Sequence, residues 1–170
     1  ILRDEAFDVH REWFGEHLAA YGPAALPVLA EVVADADACT WGRTNAATNL
    51  ARIASAFPET RDRVVAALRS QLPSHDVIEA QADEEVSDDE EIRWTFLALE
   101  LALLKDEASR DTITHLFEKG LLDEMVFGDV EEYENVLAGR HDDWAYPDTT
   151  AFDAVDYYEK LARRTREEEA

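Results

Sequence analysis

The sequence predicts an all-α fold of stacked helix pairs, and three observations carry that expectation. Apolar residues recur at three- and four-residue spacing along most of the 170 residues. Proline and glycine break the pattern at helix-length intervals. The apolar set also repeats: Leu26, Leu29 and Val33 return 39 positions on as Val65, Leu68 and Leu72. Val65 and Leu68 return again, about 48 positions further, as Ile113 and Leu116. A period of roughly 40 residues suits a unit of two helices.

The elements follow in order. Val9, Trp13, Phe14, Leu18 and Tyr21 form one stripe, so a first helix is expected over 4–20. Gly22 stops it and Pro23 starts the next, with Leu26, Leu29, Val32 and Val33 on one face. Pro27 fits only in that helix's first turn, where a missing N–H costs least. Residues 34–38 read as a loop. A third helix begins near Thr40 and buries Ala46, Ala47, Leu50, Ile53, Ala54 and Phe57. Pro58 ends it and opens a fourth, with Val64, Val65, Leu68 and Leu72 apolar.

Residues 77–91 interrupt the repeat. Seven of the nine residues from Asp83 to Glu91 are acidic. After a start that could form a short helix, the middle reads as a solvated loop, an acidic insertion. From Ile92 a fifth helix is apolar nearly all round and so is expected to be buried on most sides. A sixth carries Ile113, Leu116 and Phe117 and stops at Gly120. A short turn follows over 121–127. A brief helix is then capped by Asp129 and ends near Gly139. Residues 140–148 read as a loop with Trp144, Tyr146 and Pro147, expected to pack back on the body. A last helix is expected from about Thr150, with a frayed end. No two-residue alternation announces a strand.

Composition bounds the function. There are 39 acidic residues against 16 basic ones, a net charge of −23. Phosphate backbones and anionic membranes are repelled by such a surface, so neither nucleic acid nor membrane is an expected partner. A basic protein, or loosely held cations, suits it better. The lysine-poor, acid-rich, alanine-rich make-up resembles proteins of salt-loving microbes; a GC-rich genome coding an acidic protein accounts for it equally. Cys39 is the only cysteine, so no internal disulfide can form. With no signal-peptide pattern and no apolar run of about 18 residues, a cytoplasmic location is expected. The chain opens on Ile1, which leaves room for an upstream segment.

Two stretches carry a family resemblance. Asp89-Glu90-Glu91-Ile92-Arg93 matches the Asp-x-x-Val-Arg opening of the second helix in HEAT-like repeats. Arg43, Ala46, Ala47 and Leu50 match the Arg-x-x-Ala-Ala-x-x-Leu run of the same helix. Cys39 replaces the acidic residue of the first motif, and Phe96 and Leu97 replace the small residues of the second. Over residues 22–120 the chain resembles uncharacterised prokaryotic HEAT-repeat proteins. The resemblance implies a single domain over 1–170, a short right-handed α-α solenoid with 4–20 and 121–170 as caps. It implies a binding role and no particular activity.

Trp41, Arg43, Asn45, Asn49 and Arg52 lie on or beside the third helix, and Arg93 and Trp94 on the fifth. Second helices of such pairs line a concave surface, and Trp and Arg are favoured binding anchors. These seven residues are the candidate binding patch. The plainer expectation is that Trp41 packs on a neighbouring helix and the rest face solvent. Asp89 and Arg93, one turn apart, are expected to steady neighbouring turns. Of the histidines His10, His17, His75, His115 and His141, His10 and His17 stand seven apart on one face and His141-Asp142-Asp143 resembles a ligand cluster whose adjacent residues point apart, so surface histidines are expected; the acidic run lacks the glycine and ligand pattern of a calcium loop. No catalytic motif, cofactor signature or activated nucleophile is evident. The expected function is a protein-interaction or scaffold module, monomeric or weakly dimeric. The alternative is an enzyme or accessory subunit of the HEAT-like lyase type, with a small-molecule pocket on the concave face.

Overall fold

A computed structural model describes residues 18–82, 86–140 and 146. Among the described residues the chain is all-helical, with no strand. The α-helices are α1 (Leu26–Ala34), α2 (Thr40–Ala56), α3 (Arg61–Arg69), α4 (His75–Gln81), α5 (Asp88–Leu103), α6 (Arg110–Glu118), α7 (Glu124–Phe127) and α8 (Val130–Leu137). Short 3-10 segments at Leu18–Ala25, Pro58–Thr60 and Glu107–Ser109 lead into α1, α3 and α6. No helix among the described residues is long and apolar enough to cross a membrane. The helices expected over most of 4–20 and beyond Thr150 lie outside the described residues, as do Trp144 and Pro147.

The breaks fall where proline and glycine put them. Gly22 holds a left-handed φ of 59°, and a Cβ there would sit 3.1 Å from the Phe57 ring. Only glycine allows both the turn and the approach. Pro27 occupies the first turn of α1. Gly120 closes α6 with paired bonds, Leu121 N to Leu116 O and Gly120 N to Phe117 O, each 3.0 Å. That is the Schellman arrangement. Asp129 caps α8 by accepting from the backbone N–H of Glu131 and Glu132.

The start of the acidic stretch forms the short helix that its sequence allows, and its end departs from expectation. Its first part is helix α4, which anchors Ile78 in the core. Its last four residues, Asp88 to Glu91, form the first turn of α5, four residues earlier than Ile92. The physical reason is the helix N-terminus. Unpaired N–H groups and the helix dipole favour carboxylates there, and Ser87 caps the turn by accepting from Glu90 N at 3.3 Å. A charge run that reads as a solvated loop is thus partly a helix start.

The apolar faces meet in one cluster that runs from Ala19 to Leu137. α1 packs on α2 and on α3; α2 packs on α5; α5 packs in turn on α3, α7 and α8; α4 packs on α6. Leu29, Leu68 and Leu116 all belong to this one core. Tyr146 packs against it as expected, and Phe117, Phe127 and Tyr133 close one end with ring centroids about 6 Å apart.

The C-terminus of α5 is held by arginines from both ends of α3. Arg61 donates to Leu104 O at 2.6 Å and to Lys105 O at 3.2 Å. Arg69 forms a two-pronged pair with Asp106, which also accepts from the Ser109 hydroxyl. Lys105 takes a left-handed φ of 56° to close the same Schellman arrangement that Gly120 closes on α6. A side chain in that region costs about 1 kcal/mol. Lys105→Gly is therefore expected to stabilise the protein by roughly 0.5–1 kcal/mol, read as a higher urea midpoint with an unchanged slope.

Candidate functional site

The turn from α1 to α2 and the start of α5 enclose an open cleft of about 640 Å³. Asp35 builds the turn by accepting from Asp37 N at 3.1 Å, and buried Ala38 anchors it. Ala36 to Trp41 and Arg43 form one wall of the cleft. Asp89, Glu90 and Arg93, from the capped first turns of α5, form the other.

Arg43 sits deep in this cleft, only 9% exposed. Its Nε donates to Val33 O at 3.0 Å, which satisfies a carbonyl at the end of α1. Burial lowers its pKa, the Arg93 charge lowers it further, and Asp35 opposes both. Arg93 reaches Glu90 at 3.7 Å, so its ion pair is one residue displaced from the Asp89 pairing expected from sequence. The Arg93 Nε is buried with no hydrogen-bond partner among the described residues. Two guanidinium groups thus share one cleft and repel each other. An anionic group between them would relieve that repulsion and offer the planar acceptors that guanidinium favours. Asp37, Asp89 and Glu90 give the cleft an acidic edge. Trp41 adds an aromatic surface 48% exposed, steadied by an edge-to-face contact with Phe96 at 6.1 Å.

Only part of the sequence-derived patch converges here. Trp41, Arg43 and Arg93 line the cleft. Asn45 donates back to Trp41 O at 3.0 Å, a local bond within α2. Asn49 is 1% exposed and does structural work: its Oδ1 accepts from Ala19 N at 2.9 Å and its Nδ2 donates to Asn45 O at 2.8 Å. It fastens the 18–25 segment to α2, which explains a polar residue on a packed helix face. Trp94 is 1% exposed and belongs to the core, because the nearly all-apolar α5 is covered where Trp94 lies. Arg52 lies further along α2, where its charge acts on Glu100.

Glu100 is the group that sequence reasoning missed. It is 2% exposed, between α2 and α5, and accepts a short hydrogen bond from the Thr48 hydroxyl. Burial pushes its carboxyl up to about 7, against the opposing effects of the Thr48 bond and the Arg52 charge. A signal was present. In the register that matches Arg43 to Arg93, Glu100 falls where Leu50 sits, inside a helix otherwise apolar on nearly every face. Glu100 is not among the residues that line the cleft.

A second constellation joins residues 40 positions apart. His75 and Glu79 from α4 and His115 from α6 bring their ligand atoms within 4.8 Å of one another. The distance of His115 along the chain hides this grouping from the sequence. His10, His17 and His141 lie outside the described residues. No family model matches the chain, and no curated protein and no solved structure matches it.

The raised carboxyl has a pH consequence with a definite sign. The folded state holds the Glu100 proton up to a higher pH than the unfolded chain does. Stability from this group is therefore full near pH 4 and declines as pH rises to about 7. Glu100→Gln removes the decline. Relative to the parent, the variant should gain stability between pH 5 and pH 8, approaching roughly 3 kcal/mol at the upper end, as measured by urea unfolding at each pH.

Proposed function

We propose that this chain is a protein-interaction module of stacked HEAT-like helix pairs, and that the Trp41–Arg43–Arg93 cleft is where it engages its partner. The stacking is supported by the order of contacts. α2 packs on α5 and α5 on α8, while α1 and α3 pack on each other and α3 packs on both α2 and α5. Helix pairs that cannot bury an apolar face alone gain stability by such stacking.

The single observation that carries the functional part is the pair of guanidinium groups that line one cleft with an exposed tryptophan. Such a pair favours a carboxylate, and tryptophan and arginine are the residues that most often dominate binding energy. The acidic edge at Asp37, Asp89 and Glu90, within a chain of charge −23, selects basic side chains around that carboxylate. The expected ligand is a partner segment with a carboxylate flanked by lysine or arginine. An enzymatic role would require a carboxylate of raised pKa in a polar pocket. Glu100 has the pKa but does not line the cleft, so binding is the better-supported function.

Panning a peptide library on the immobilised protein tests this. Retained peptides should carry an acidic residue between basic ones. Trp41→Ala and Arg93→Glu should each weaken their binding by about tenfold or more, with the helical circular dichroism unchanged. Failure to retain any peptide, or binding indifferent to both substitutions, would contradict it.

A further inference from the structure

We propose that His75, Glu79 and His115 form a binding site for a divalent transition-metal ion of the zinc class, and that the ion ties α4 to α6. His75 and Glu79 stand four residues apart on α4, so they share one face. His115 faces them from α6, and one ligand atom from each residue lies within 4.8 Å of the other two. Two imidazoles and a carboxylate favour zinc, nickel or copper over magnesium or calcium, which seek oxygen alone. Three protein ligands leave a fourth position for water.

The surroundings match what a metal-bound histidine needs. His115 Nε2 lies 2.8 Å from Glu79 Oε1, while its Nδ1 lies 3.4 Å from Glu118 Oε2. An ion at Nε2 replaces the proton shared with Glu79. The ring then keeps its proton on Nδ1, directed at Glu118. A carboxylate behind the histidine fixes the ring and raises its basicity toward a metal. Glu79 turns Oε1 toward His115 and Oε2 toward Lys119. Lys119 also competes, since its Nζ lies 2.8 Å from Glu79 Oε2.

Closure needs a small movement. The His75 and His115 rings are stacked at 4.5 Å with planes 16° apart. Tetrahedral zinc ligands sit about 3.3 Å from one another. His75 is exposed, so solvent leaves its ring room to turn out of the stack. The consequence reaches the helix itself. Ile78 is the one buried residue of α4. An ion shared with α6 strengthens a fastening that otherwise rests on Ile78 and on the Glu79 bonds to His115 and Lys119.

Calorimetric titration of the tag-free protein with zinc chloride is the test, with magnesium in excess to occupy the 39 carboxylates nonspecifically. One saturable site per chain is expected, together with a zinc-dependent rise in melting temperature. His75→Ala and His115→Ala should each weaken binding by about tenfold or more, and the double variant should lose the thermal shift. Lys119→Met should tighten binding, an effect that a purely structural role for the cluster does not produce. Zinc uptake unchanged in the double variant, uptake abolished by magnesium, or Lys119→Met weakening the site would overturn the proposal.

Discussion

Helix α5 must be covered on nearly every side, and the positions of its neighbours follow from that need. Trp94, Leu97, Ala98, Leu99, Leu101 and Ala102 are all buried along its length. No single partner can shield residues that point in so many directions. α2 packs on α5, and the small residues Ala46, Ala47, Ala51 and Ala54 are buried along α2. α3, α7 and α8 pack on α5 as well. Each buried leucine contributes about 1.5–3 kcal/mol by leaving water, so the helix gains most of its stability from this enclosure and little from its own propensity.

Polar groups then decide how the enclosing helices sit. An apolar contact between two helices tolerates small slips, whereas a buried hydrogen bond does not. Thr48 to Glu100 sets α2 against α5. Asn49 to Ala19 sets the entering segment against α2. Arg43 to Val33 O sets α1 against α2. At the far end, Arg61 and Arg69 fasten α3 to the carbonyls and carboxylate that follow α5. These bonds lie at helix ends and helix crossings, where backbone groups would otherwise go unsatisfied. The cleft is a by-product of the same order. Arg43 is drawn inward to serve Val33, and the capped start of α5 places Arg93 beside it.

Much of the architecture was legible because it rests on local chemistry. The faces of α1, α2, α3 and α6 follow from three- and four-residue spacing, and the stops at Gly22, Pro58 and Gly120 follow from backbone restrictions that single residues impose. What escaped the sequence depends on context. The acidic residues 88–91 read as loop because charge suggests solvation, yet a helix start wants that charge. Asn49 and Trp94 read as binding residues by type, yet their side chains turned out to be needed inside. Glu100 broke an apolar pattern in plain view. The His75–Glu79–His115 grouping had one local signal, the four-residue spacing of His75 and Glu79, and only the packing of α4 on α6 supplies its third member.

α2 and α5 share one seam and should give way together. Native-state hydrogen exchange, followed residue by residue, tests it most directly. The backbone amides of Leu50 to Ile53 and of Ala98 to Leu101 should exchange only through global unfolding, with the same free energy and the same dependence on denaturant. If α5 opened at markedly lower free energy than α2, each would be a separate unit, and the shared seam could not be what organises the fold.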